Sequence, residues 1–243
     1  MRQSFVTTVI RPLCVASLAL LASVASAQAP QPSKAKSLNI LLVGASGMIG
    51  SRILAEATSR GHHVTAAARH PEKITAGANV KAVKLDATDK AALTALAKDA
   101  DVIVTSPRGG GDPIQEAKAV GDAAIAAAQA TGKRLFVVGG AGSLKTADGK
   151  SVADTLPAAY RGEALGMRGV LDSLKASDVS WTFFSPAMSI APGPKTGKYR
   201  LGTGTVIAND KGVSRISAED FAQALVNELE NPKYLKSQMT IGY

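Results

Sequence analysis

Gly44, Gly47 and Gly50 stand three residues apart directly behind the apolar run Ile40 to Val43, within LNILLVGASGMIG at 38–50. A helical pattern follows from Met48 to Arg60 and ends at Gly61. Strand, glycine turn and helix in this order make a cradle for phosphate. Gly44 permits the tight turn off the strand, Gly47 lets backbone approach a pyrophosphate, and Gly50 allows close helix–sheet packing. Ser46, Met48 and Ile49 complete the turn and the helix start, where exposed N–H groups and the positive end of the helix dipole favour an anion. The competing reading is a glycine-rich turn in another kind of α/β protein, and the strand-to-helix context argues against it. Ser46 is not read as a nucleophile, because it lies inside the turn and no base accompanies it.

The second apolar segment closes at Ala66-Ala67-Ala68-Arg69, about twenty residues beyond the glycines, where the ribose of a bound dinucleotide should lie. A carboxylate there would accept hydrogen bonds from the ribose hydroxyls of NAD, and none is present. Arg69 offers a planar fork suited to the 2′-phosphate of NADP instead, and Lys73 adds charge from the next turn. NADP(H) is the expected cofactor and NAD(H) the less favoured one. The alternative for Arg69 is an exposed turn residue before Pro71. Asp86 and Ala87 follow the third strand, with Asp86 placed either to meet the adenine edge or to cap the next helix.

The elements that must position these groups alternate regularly. Strands are expected at His63 to Ala68, Val80 to Leu85, Val102 to Thr105, Leu135 to Val138, Val179 to Ser185 and Gln238 to Ile241. Helices are expected at Lys90 to Lys98, Ile114 to Thr131 and Ala158 to Ala176. Ser217-Ala218-Glu219-Asp220 reads as a capping box in which Asp220 answers Ser217. Behind it Phe221, Leu225 and Leu229 recur on one helix face until Asn231-Pro232. This order predicts an α/β fold: one Rossmann-like, doubly wound parallel sheet over residues 38–243, with helices on both faces and ligands at the carboxyl ends of the strands.

The chain resembles the NAD(P)-binding, NmrA-like group of atypical short-chain dehydrogenases, and the small flavin and biliverdin reductases built on that fold. GASGMIG at 44–50, AARHPEK at 67–73, KLDATD at 84–89 and VVGGAGSL at 137–144 carry the resemblance, with WTFFSPA at 181–187 and the segment 214–232. It implies an NADP(H) site with the nicotinamide beside the loops after the fourth, fifth and sixth strands. Typical members of the wider superfamily use a tyrosine and a lysine four residues later, the lysine lowering the tyrosine pKa. Tyr160 is the candidate tyrosine, but position 164 is Ala, which puts that mechanism in doubt. Ser143 matches the superfamily's active-site serine by position. Its hydroxyl would polarise a carbonyl, or else form a turn.

Hydride transfer needs mainly a positioned nicotinamide and a substrate held against it. A flavin or tetrapyrrole acceptor can take its proton from water. The loop Thr105 to Gly111 is suited to wrap the cofactor through Ser106, with Arg108 holding a phosphate or substrate carboxylate, or simply solvated. Phe184, Ser185, Pro186 and Met188 are expected to floor the nicotinamide site, with Phe184 otherwise in the core. Ala191 to Leu201 has the composition of a mobile substrate loop. Lys195, Lys198 and Arg200 would draw an anionic substrate there, unless they are only solvated. His62, His63 and His70 lie away from the catalytic edge, and no ligand spacing suggests a metal.

Arg2 and Arg11, the apolar stretch Leu13 to Val24 and Ala25-Ser26-Ala27 form a signal peptide in order, with cleavage expected after Ala27. Residues 28–37 read as a polar leader. Cleavage leaves 216 residues without the single cysteine, Cys14, hence without a disulfide or thiolate chemistry. A secreted or periplasmic location is expected. The net charge of +9 is scattered, and only 4% of residues are aromatic, so nucleic acid is not an expected partner. Neither is a membrane once the leader is removed. A small-molecule substrate and a monomer or weak homodimer are expected. Three functions fit: an NADP(H)-dependent reductase acting on a small flavin, quinone or carbonyl acceptor; a dinucleotide-binding redox sensor without chemistry; and an exported small-molecule-binding protein.

Overall fold

Parallel strands covered on both faces must deliver apolar side chains alternately to two cores. Ile40 and Leu42 enter one core while Leu41 and Val43 enter the other; Val102 and Val104 oppose Ile103, and Phe136 and Val138 oppose Leu135 and Val137. The computed structural model describes Met1, Ser4 and residues 36–106 and 111–243. Most of the expected signal peptide and polar leader, and Arg108, therefore lie outside the described residues.

The elements run β1 (Asn39–Val43), α1 (Met48–Ser59), β2 (His63–Ala68), β3 (Val80–Lys84), α2 (Lys90–Ala97), β4 (Val102–Thr105), α3 (Pro113–Thr131) and β5 (Arg134–Val138). They continue as α4 (Val152–Thr155), α5 (Ala158–Ala176), β6 (Trp181–Ser185), β7 (Ser189–Ala191), β8 (Arg200–Gly202), β9 (Arg215–Ser217), α6 (Ala218–Glu230) and β10 (Ser237–Gly242). Eight strands form one sheet in the order β3-β2-β1-β4-β5-β6-β10-β8, all parallel except the edge strand β8. The order reverses between β1 and β4, and a cleft opens there at the carboxyl ends. Helices α1 and α6 supply Ile53, Leu54, Phe221 and Leu225 to one core; α2, α3 and α5 supply Leu93, Ala124 and Leu171 to the other.

The expected mobile loop after β6 is instead tied down. Strands β7 and β9 pair in parallel beside the main sheet. Their three-residue length offers no periodicity from which to read them. Asp220 does not answer Ser217 as a capping box requires. Ser217 Oγ accepts from the Asp220 N–H at 3.0 Å, but the Asp220 carboxylate turns to the loop. There it accepts from the backbone N–H groups of Thr196 and Gly197, both at 2.8 Å, and from the hydroxyls of Thr196 at 2.6 Å and Tyr243 at 2.7 Å. Burial pushes the Asp220 carboxyl up, yet these donors outweigh it and hold the group below its ordinary range. An aspartate is one methylene too short for an easy return to the N-cap, and four donors reward the other direction.

Candidate functional site

The turn between β1 and α1 shows why two of its glycines are required for different reasons. Gly44 has φ of 86° and donates its N–H to Ala67 O at 2.8 Å, which locks the turn onto β2. A Cβ on Gly50 would stand 2.1 Å from Gly44 O, so the fold itself demands glycine there. A Cβ on Gly47 would meet Gly44 O at 3.3 Å and Ser106 O at 4.0 Å, tight but not forbidden. What Gly47 keeps open is the cleft between α1 and the end of β4.

The helix starts follow the same logic. Asp89 caps α2 through the Ala92 N–H at 2.9 Å, Asp112 caps α3 through Ile114 and Gln115 at 2.9 Å each, and Ser217 caps α6. At α1 the N-cap is Gly47 and at α5 it is Pro157, both with no side-chain cap and no acidic residue in the first turn. Gly47, Met48 and Ile49 line the cleft, so uncapped donors and the positive end of the dipole face it. This cradle fits a pyrophosphate.

Beyond the turn a cavity of about 270 Å³ is lined by Gly44, Ser46, Arg69, Lys73, Asp86 and Ala87. Arg69 is exposed at the end of β2. Asp86 Oδ1 accepts from the Thr88 N–H at 3.0 Å and Thr88 hydroxyl at 2.8 Å, and these bonds, then the Arg69 charge, hold its carboxyl below its ordinary range. The helix cap belongs to Asp89, so the capping alternative for Asp86 is not what the structure shows.

On the other side of Gly47 the cleft widens to about 530 Å³. Loops after β4, β5 and β6 meet there through Ser106, Gly139 to Gly142, and Pro186 to Met188. Pro186 takes its expected place. Ser185 does not: its side chain is fully buried and faces Ser143. Phe184 is core, stacked on Phe221 with centroids 4.1 Å apart. Ser143 Oγ donates to Gly140 O at 2.7 Å, pairs with Ser185 Oγ at 2.9 Å and accepts from Gln238 Nε2 at 3.0 Å. Its hydrogen-bonding capacity is filled from within, which favours the turn-forming role over carbonyl polarisation.

Tyr160 stands at the cleft mouth, 63% exposed, and its hydroxyl makes no hydrogen bond among the described residues. Ala164 is buried and also lines the cleft, and a Cβ on Gly142 would lie 2.2 Å from the Ala164 Cβ. Helix α5 therefore rests directly on the turn after β5, with no basic side chain at position 164. Lys195 is turned away to Glu56, Nζ to Oε2 at 2.5 Å, and Arg200 donates to the Tyr243 and Ala208 carbonyls. Neither forms a substrate-facing basic patch.

Sequence reasoning missed Gln238, Met167 and Glu163. Gln238 donates to both Ser143 and Ser185 at 3.0 Å and so ties the loops after β5 and β6 together. A polar residue opening an apolar strand was its only signal. Met167 and Glu163 share the cleft-facing side of α5 with Tyr160, at helical spacing. Among the described residues no group of His, Cys, Asp and Glu could hold a metal ion.

Known proteins match this arrangement. Residues 44–232 match the family described as NAD(P)H-binding. A candidate exported protein from Burkholderia pseudomallei is 42% identical, with a TM-score of 0.77 over 85% of this chain and 100% of that one. A candidate epimerase from Bacteroides thetaiotaomicron is 37% identical, with a TM-score of 0.80 over 86% of this chain and 98% of the other. A candidate NADH-flavin reductase from Streptococcus pneumoniae is 30% identical, with a TM-score of 0.71 over 85% and 99%.

Proposed function

The chain belongs to the NAD(P)H-binding family, within the atypical short-chain dehydrogenase type of Rossmann fold, and from that premise we propose that it is an NADP(H)-dependent reductase. Its acceptor is a small, flat, mainly apolar molecule such as a flavin or quinone. The observation that carries this reading is a cleft with two unlike ends. One end offers uncapped N–H groups, Arg69 and Lys73; the other offers Met48, Leu156, Met167, Pro186, Met188 and Ile190.

The first turn of α1 would hold the pyrophosphate, and Arg69 the 2′-phosphate in a charge-assisted pair. Bound NADPH would supply the hydride. Pro186, Ala187 and Gly139 would floor the nicotinamide, and Met48 and Met188 would exclude water above the acceptor. Position 164 is Ala where the tyrosine–lysine mechanism needs a lysine, so the acceptor's proton comes from water at the open mouth. The relative named as a candidate NADH-flavin reductase supports this chemistry. An export role draws on the leader sequence and on the relative named as exported.

The inward-bonded Ser143 and isolated Tyr160 favour one other reading, a sensor that binds dinucleotide without chemistry. Purified mature protein is mixed with NADPH and riboflavin or menadione, and absorbance is followed at the NADPH band. Acceptor-dependent oxidation is expected. Tight NADPH binding with no acceptor reduced would replace the enzyme by the sensor.

A further inference from the structure

The acceptor end of the cleft carries a carboxylate that the hydride chemistry does not use. Glu163 lies one helical turn after Tyr160 on α5 and one before Met167. These three side chains stand where the 530 Å³ cleft meets a second cavity, of about 310 Å³, between α3 and α5. Glu163 is exposed, and its carboxylate makes no hydrogen bond or ion pair among the described residues. Glu116, which accepts from the Gly111 N–H at 2.8 Å, adds a second carboxylate to the wall of the smaller cavity.

No lysine or arginine among the described residues lines either cavity. The cations nearest in sequence point elsewhere: Arg161 donates to Leu156 O at 3.1 Å and Arg168 to Ser151 Oγ at 2.9 Å. Among the described residues, the charged side chains that line the two cavities are the carboxylates of Glu163 and Glu116, in a protein of net charge +9. We propose that Glu163 sets the charge specificity of the acceptor pocket, admitting neutral acceptors and rejecting anionic ones. This rests on the reductase reading and reverses the attraction to anions that the basic loop suggested.

Two charges about 8 Å apart repel by an amount worth about three- to thirtyfold in affinity, for effective dielectrics between those of a protein surface and bulk water. The test uses two acceptors with the same ring system, menadione and 1,4-naphthoquinone-2-sulfonate. Their Kd values for the NADP⁺-saturated protein are measured by calorimetry, and their kcat/KM with NADPH. Parent protein, Glu163→Gln and Glu163→Lys are compared. The parent is expected to favour menadione. Glu163→Gln should shift the menadione-to-sulfonate ratio toward the sulfonate by about three- to thirtyfold, and Glu163→Lys should shift it further. A ratio that is the same in all three proteins, a parent that favours the sulfonate, or no binding of either quinone would each overturn the proposal. Binding that shows the expected ratios without NADPH oxidation would support the charge assignment while removing the reductase reading.

Discussion

Around Gly47 the protein leaves the first N–H groups of α1 uncapped and keeps Arg69 and Lys73 at the cleft, while around Ser143 each hydroxyl is bonded inward to Gly140, Ser185 and Gln238. Both regions sit at the carboxyl ends of the same sheet. The first presents helix N–H groups without a side-chain cap, and two cations, to the cleft; the second uses its polar capacity to fix its own backbone and presents an apolar surface. Donors and positive charge gathered at a helix start favour an anionic ligand. A region whose polar groups are all paired must recognise its ligand by shape and charge.

The comparison breaks most sharply at the two glycines. Gly50→Ala should cost about 3 kcal/mol or more of folding stability, because its Cβ would fall 2.1 Å from Gly44 O. Gly47→Val should leave the melting temperature close to that of the parent while abolishing NADPH binding. Thermal denaturation and a cofactor titration on both variants check this. If Gly47→Val unfolds the protein as Gly50→Ala does, the cradle is only a packing feature.

A smaller effect tests the opposite region. Gln238→Leu removes the donor shared by Ser143 and Ser185 and should cost about 1–3 kcal/mol of stability, read by denaturant unfolding. NADPH affinity should change little, because the phosphate contacts lie on the other side of Gly47. A large loss of affinity with unchanged stability would mean that this knot binds cofactor directly.

How far the sequence anticipated each region follows from how local the determinants are. Strands β2 and β4 and helix α5 have the bounds their patterns predict, since alternation and helical spacing are properties of neighbouring residues. The cradle was legible because strand, turn and helix are contiguous. The acceptor end was not. Ser185 and Phe184 looked like a floor from their position after β6, but their side chains alternate inward, and only Pro186 onward reaches the cleft. Ala164 read as a missing catalytic lysine, and its close packing on Gly142, 22 residues away, was not legible from the sequence. Likewise Asp220 read as half of a capping box, and its four donors come from the distant loop and from Tyr243.

The smallest effect is expected at Tyr160. Tyr160→Phe should leave turnover within about a factor of ten of the parent, less than the loss typical of a general acid. A thousandfold fall in kcat with unchanged cofactor affinity would restore tyrosine catalysis and contradict the assignment of the proton to water.

The central claim is that the polar end of the cleft is built for NADP(H). It is tested most directly by titrating parent and Arg69→Ala with NADPH and with NADH. The parent should bind NADPH more tightly, and the substitution should weaken NADPH by about ten- to a hundredfold while leaving NADH nearly unchanged. Equal affinities in the parent, or equal losses for both cofactors, would contradict it.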